Sequence, residues 1–366
     1  MSAQNPPAVQ ALPKVELHVH IEGTITPAKC RELAARNHVA LAPGLFTVDG
    51  SDYQYSDFLD SVTRVYFGLA ATLKTGADYA DVTYDYLKRC AEENAVYVEL
   101  IACPAQCVRS CIAYRDMIDG MAAGIDRARA DFGIESRINV TFERDQSLSD
   151  AEITAKAGRD ADMILSYPHP YVVGLDIAGG EKTADIPPFR AAYERTLREF
   201  GRPLGVRMHA AENAGSSNAF EAMRFGVTRI GHGVRTILDP AAIAQLRRDR
   251  VMLEVCPTSN VLALKDFCPT YETHPLRDLY DAGLHISLNS DDPGLFRTSI
   301  GREYQIAHEK FDFTVAELLN VSQDAVDFSF APDDVKQKLS LQIGDFRQRF
   351  FNRPAASAGK NRLEPF

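Results

Sequence analysis

The strongest constraint on the fold of this chain is a rhythm. Short β-prone apolar runs separated by longer amphipathic stretches recur eight times: VELHVH (15–20), VYVELIAC (96–103), RINVTF (137–142), VVGLDIA (172–178), LGVRMHA (204–210), RIGHG (229–233), VMLEVC (251–256) and LHISLNS (284–290). Strands joined by helix-length connections pair in parallel, because each connection carries the chain back to the same end of the sheet. Side chains alternate between the two faces of a strand, and here the alternation separates chemistry. Val15, Leu17 and Val19 share one face of the first run, with Glu16, His18 and His20 on the other. Met208 likewise opposes Arg207 and His209, Leu253 and Val255 oppose Glu254, and Ile286 and Leu288 oppose Ser287, Asn289 and Asp291.

An open parallel sheet with helices on both sides wants both faces apolar. A closed barrel needs helices only outside, and its inner face accepts polar groups that are paired or that ligate something. The predicted fold is therefore α/β, a TIM (β/α)8 barrel. Functional groups in such barrels come from the C-terminal ends of the strands, where His20, Asp176, His209, His232 and Asp291 all fall. Residues 24–95 exceed a single crossover and predict extra helices inserted after the first strand, placed to act as a lid. With no linker or internal repeat, residues 12–352 are expected to form one domain between tails at 1–11 and 353–366.

Composition narrows the partners. The formal charge of −10 disfavours nucleic acid and anionic membrane, which attract basic surfaces, and leaves a small molecule as the expected partner. No apolar run approaches the roughly 18 residues that span a bilayer, and MSAQNPPAVQALPK lacks the basic and apolar regions of a secretion signal. Seven cysteines (Cys30, Cys90, Cys103, Cys107, Cys111, Cys256, Cys268) are odd in number and lack zinc-ribbon spacing. A reduced, cytoplasmic setting is expected. Cys103, Cys107 and Cys111 recur every fourth residue, which predicts small buried side chains on one helix face. Nothing in the composition specifies a subunit number.

The chemistry concentrates in a few stretches. In ELHVHIEG (16–23), His18 and His20 are two apart on a strand and point the same way, so both can face one metal. His209 and Asp291, at two other strand ends, complete a nitrogen and oxygen set of the kind zinc accepts while keeping a position for water. One zinc ion per chain is expected, because the lysine after the fourth strand, Lys182, stands well beyond the strand end and is poorly placed to bridge two metals. Glu212, three residues after His209, and His232, between two glycines, are groups suited to proton transfer beside a cation. Asp292 follows Asp291 directly, and the turn signalled by Pro293 and Gly294 could aim both into one pocket.

Taken in order, LPKVELHVHIEG, GLDIAGGE, HAAENAG, RIGHG, LEVCPTSN and HPLRDLYDAGLHISLNSDDP resemble the adenosine and adenine deaminases of the metal-dependent amidohydrolase superfamily. The resemblance spans most of the chain. It implies a zinc held by His18, His20, His209 and Asp291, a catalytic set of Glu212, His232 and Asp291, and proton donation from Glu212 to purine N1. His232 would stand beside the attacking water, Asp292 would bond N7, and the Gly179 N–H would reach N3. The H-x-E and P-C-x-x-C signature of the other zinc deaminases is absent, since CPAQC (103–107) has different spacing.

Substrate identity divides the signals. Glu22 stands where adenosine deaminases usually carry the aspartate that meets the ribose, as adenine deaminases tend to have it, whereas the DIAGGE and CPTSN blocks look more like the adenosine branch. HAAE in place of HAGE adds a methyl group at Ala211. The balance leans narrowly to adenosine or deoxyadenosine, then adenine, then a modified adenine. A barrel hydrolase of amide or ester bonds would use the same metal without needing the ring contacts of Glu212 and Asp292, and a noncatalytic binding relative would be expected to have lost ligands or the acid.

Overall fold

The computed structural model describes residues 6–351. Eight parallel strands run in the order β1 (Lys14–His20), β2 (Ala95–Ala102), β3 (Glu135–Glu143), β4 (Val172–Ala178), β5 (Gly205–Ala210), β6 (Arg229–His232), β7 (Met252–Val255) and β8 (Ile286–Leu288), each paired with the next. The ring closes between the last strand and the first. His20 N–H donates to the Asp291 carbonyl at 2.9 Å, Asp291 N–H donates to the His18 carbonyl at 3.2 Å, and Leu17 N–H donates to the Asn289 side chain at 2.8 Å. The fold is the TIM barrel that the alternation predicts, with its strand apolar faces turned to the surrounding helices.

The long insertion after β1 forms helices at Pro27–Arg36, Phe58–Asp60, Phe67–Ala70 and Gly76–Glu92, with a wide π-turn at Ser61–Tyr66. Two expectations are corrected. Residues Pro6–Ala11, read as a tail, form a short helix whose Ala8 and Val9 are buried, because an apolar pair in a first turn gains more by docking than by staying in water. The cysteine triplet does not share a helix face: the helix is only Pro104–Ser110, so Cys103 caps its start, Cys107 is buried, and Cys111 lies past its end, exposed at φ 56°. The expected C-terminal tail, 353–366, lies outside the described residues.

The barrel centre is filled by charge. Arg207, Arg229, Glu99, Glu254 and Asp176 are all fully buried. Arg229 is ion-paired with Glu99 at 2.6 Å and Glu254 at 2.8 Å, while Arg207 is ion-paired with Asp176 at 2.6 Å and also with Glu254. Asn139 donates to Glu99 at 2.9 Å. At the N-terminal mouth Phe330 lies under the Arg229 guanidinium, 3.7 Å from its ring centroid, and its N–H donates to Glu99 at 2.6 Å. Ions this deep persist only because every one is paired; removing one leaves its partners uncompensated. Arg229→Met is therefore expected to cost about 3–5 kcal/mol of stability, read as a lower urea midpoint at unchanged slope.

Candidate active site

At the C-terminal rim the strands gather His18, His20 and His209 into one cluster of possible donors, with Asp291 against His18 and His20. His18 and His20 project inward from β1, His209 from β5, and Asp291 from just beyond β8. The His18 and His209 rings are 4.5 Å apart between centroids, and His20 and His209 are 5.3 Å apart. Asp291 Oδ1 lies 3.4 Å from Nε2 of both His18 and His20. The positive φ of Asp291, 62°, turns the chain out of the strand and aims this carboxylate at the histidines. Its other oxygen accepts a hydrogen bond from Ser259 at 2.6 Å, so one oxygen is held and one is offered.

The residues fit a divalent cation. Nε2 of His18 and Nε2 of His209 are buried with no hydrogen-bond partner among the described residues, a costly condition for a polar atom that a metal would relieve. Burial holds His20 down at about 4 and His209 well below the ordinary histidine range, so both rings are neutral, as ligands must be. Burial opposes charge on His18 too, but the nearby Asp291 and Glu254 carboxylates outweigh that and lift it to about 9, a proton standing where a cation would satisfy the same carboxylate. Cys256 joins the cluster of possible donors with His18, His232 and Asp291. Burial and the Asp291 charge push its thiol far up, which keeps it protonated and a poor ligand.

Behind the ligands stands a support that the sequence reading placed on the polar face without giving it a task. His18 Nδ1 donates to Glu254 at 3.0 Å and His209 Nδ1 to Asp176 at 3.2 Å. Both carboxylates are gripped by the single Arg207 guanidinium. Such carboxylate partners set which ring nitrogen of a histidine faces the metal.

Around this point lie the other residues that the sequence singled out. Glu212, on the loop after β5, has Oε1 3.8 Å from His232 Nε2; burial, then the charges of Asp291 and Glu181, push its carboxyl up to about 8. His232 ends β6 at φ 59°, and burial holds it neutral, at about 3. Asp292 is buried with Oδ1 unpartnered among the described residues, and burial beside Asp291 raises it far above the carboxylate range. Gly23 packs against it so closely that a Cβ there would fall 1.9 Å from Asp292 Oδ1. Glu22, in the turn after β1, accepts a hydrogen bond from Tyr66 of the inserted π-turn at 3.0 Å on one oxygen; the other is buried and unpartnered, and burial lifts the carboxyl to about 7. Gly179, just past β4, is exposed at the rim at φ 103°, and a Cβ would meet the Arg144 carbonyl at 2.8 Å. The structure thus gathers His18, His20, His209, His232, Glu212 and Asp291 at one end of the barrel, while Gly179 lies exposed at the rim after β4.

Glu181 was not singled out, although it stands in the quoted AGGE block. Its carboxylate accepts the backbone N–H groups of Ala211, Glu212, Asn213 and Ala214 at 2.8–3.0 Å and the Asn218 amide at 2.8 Å. An anion seated on four successive N–H groups holds that loop, and with it Glu212, in one conformation.

The adenosine deaminase family profile matches residues 13–346. The chain belongs to this family. Similar relatives include the adenine deaminase of Sinorhizobium medicae, 36% identical over 331 residues that cover 90% of this chain and 97% of the relative, and that of Agrobacterium fabrum, 35% identical over 337 residues, 91% and 98% of the two chains. Among solved structures, the adenine deaminase from Arthrobacter aurescens superposes with a TM-score of 0.82 at 28% identity, covering 92% of this chain and 100% of that one. An amidohydrolase from Burkholderia ambifaria with bound Zn has the same fold, with a TM-score of 0.80 at 24% identity over 96% of both chains. Membership makes the chain a hydrolytic aminohydrolase acting on a carbon–nitrogen bond of a cyclic amidine, and the donor set makes it one with a divalent metal site. The lean toward adenosine finds no support among these relatives, three of which are named adenine deaminases. No described helix is long and apolar enough to cross a membrane. For the loop held by Glu181, Glu181→Ala is expected to lower deaminase kcat about 100-fold, the cost of a misplaced catalytic group, with the metal content of the purified protein unchanged by atomic absorption.

Proposed function

We propose that this chain deaminates free adenine: adenine and water give hypoxanthine and ammonia, with one zinc ion held by His18, His20, His209 and Asp291. A zinc ion there would lower the pKa of water and supply a strong nucleophile at neutral pH. The protein's own groups then serve the ring. Glu212, protonated at neutral pH because burial raises it to about 8, donates its proton to N1 as C6 turns tetrahedral, which lets the ring accept the electron pair. Asp292, also held protonated by burial, donates to N7, and the Gly179 N–H donates to N3. His232 stands on the metal side of C6 next to Glu212.

The observation that carries the choice of free base is Glu22. One of its oxygens is taken by Tyr66, and the other is buried without a partner. Adenine offers N9–H as a donor for that oxygen; in adenosine the same nitrogen carries a ribose and has no proton. A buried acceptor built for a donor discriminates strongly against a ligand that lacks it, because the group is then left unsatisfied. The relatives named adenine deaminase point the same way.

Two measurements test this reading. Ammonia release from the zinc-loaded protein is expected to favour adenine over adenosine and deoxyadenosine by at least about 10³-fold in kcat/KM; equal or reversed preference overturns the free-base assignment. Glu212→Gln is expected to retain one metal per chain and to lose on the order of 10²-fold or more in kcat, so a variant near wild type would remove Glu212 as the acid.

A further inference from the structure

Where His18 and His209 each turn their second ring nitrogen to a carboxylate, His232 turns its own to an amide. Its Nδ1 lies 3.1 Å from the side-chain nitrogen of Asn260, which is fully buried on the helix Pro257–Ala263. The Asn260 side-chain oxygen lies 3.2 Å from Nε2 of His274, itself buried on the loop before β8. The far end of this chain is anchored by backbone: the Leu276 N–H donates to His274 Nδ1 at 3.1 Å.

Each link has one allowed direction. A backbone N–H can only donate, so His274 Nδ1 carries a lone pair and its ring proton is on Nε2. That N–H needs an acceptor, which fixes the Asn260 oxygen toward His274 and its NH2 toward His232. His232 Nδ1 must then accept, and the single proton of its ring sits on Nε2, the nitrogen 3.8 Å from Glu212 Oε1. We propose that Asn260 and His274 are positioning residues that hold His232 as the Nε2–H tautomer, so that it meets the site as a hydrogen-bond donor and not as a base. An imidazole in this state orients an oxygen lone pair and stabilises negative charge developing on it; it has no free Nε2 lone pair with which to take a proton from water. The inference rests on the proposed deaminase reading only for its effect on turnover, since the tautomer itself is a property of the fold.

The test uses the full-length zinc-loaded protein labelled with 15N-histidine. Two-bond 1H–15N spectra separate the two tautomers, with His232 and His274 assigned by single substitution. Both residues are expected as Nε2–H; a His232 signal of the Nδ1–H type overturns the proposal. Asn260→Asp keeps the shape but replaces the donor by an acceptor, and is expected to convert His232 to Nδ1–H and to lower kcat on adenine about 10²- to 10⁴-fold, as wrong-tautomer histidines do in other enzymes. KM and zinc content are expected to stay within about threefold. A zinc-replete Asn260→Asp protein with wild-type kcat overturns the proposal. If that variant does not fold, the His274 pair decides: His274→Gln retains a donor toward Asn260 and is expected to keep activity within about tenfold, while His274→Phe is expected to fall with Asn260→Asp, and equal behaviour of the two overturns the relay. A wild-type protein that turns over no adenine removes the functional reading, and the spectrum still decides the tautomer.

Discussion

The structure depends on one buried cation. Arg207 lies fully inside the barrel and grips Asp176 and Glu254, the two carboxylates that in turn hold His209 and His18. Without it two neighbouring carboxylates would face each other in a medium of low polarisability, where repulsion and the cost of lost hydration are both large. With it, they become rigid acceptors whose positions fix the two unpartnered histidine nitrogens at the candidate metal site. Arg229, sharing Glu254 and pairing Glu99, extends the same network down to Phe330 at the opposite mouth. Stability and catalytic geometry are thus carried by the same residues.

Around this centre the rim separates two kinds of acid. Asp291 is driven down by the surrounding histidines although burial opposes it, and stays a carboxylate able to meet a cation. Glu212 and Asp292 lack such partners, so burial and the Asp291 charge keep them protonated and make them donors. On the proposed reading, a purine ring, with acceptors at N1, N3 and N7, meets these two neutral acids and a backbone N–H. The same side-chain type does opposite work a few ångströms apart because its neighbours differ.

Backbone conformation at the strand ends completes the arrangement. Ala211, His232 and Asp291, at the ends of β5, β6 and β8, all adopt positive φ, at 53°, 59° and 62°. Non-glycine residues take that region only when the surroundings enforce it. Here the enforcing contacts are visible: Glu181 under the 211–214 loop, Asn260 against His232, and the β1 backbone against Asp291. The inserted π-turn adds Tyr66, which closes over Glu22.

The sequence by itself determined the barrel and the candidate donors that gather at its rim. Strand alternation is a local property with a period of two, so the separation of Val15, Leu17 and Val19 from Glu16, His18 and His20 is written in adjacent letters, and strand ends follow from it within a residue or two. His18, His20, His209, Asp291, Glu212 and His232 were legible because each carries reactive chemistry at a strand end. What only the tertiary structure decided is what touches what across the barrel: that Arg207 joins Asp176 to Glu254, that Glu181 seats four N–H groups of a loop 30 residues on, that Tyr66 takes one oxygen of Glu22, and that His274 reaches His232 through Asn260. These partners lie far apart in the chain and belong to residue types that are usually bland, so no local pattern marks them. The N-terminal helix and the broken cysteine face were misread for the same reason, since whether Ala8 and Val9 find a surface to dock on, and where a short helix stops, are settled by neighbours that a linear reading does not see.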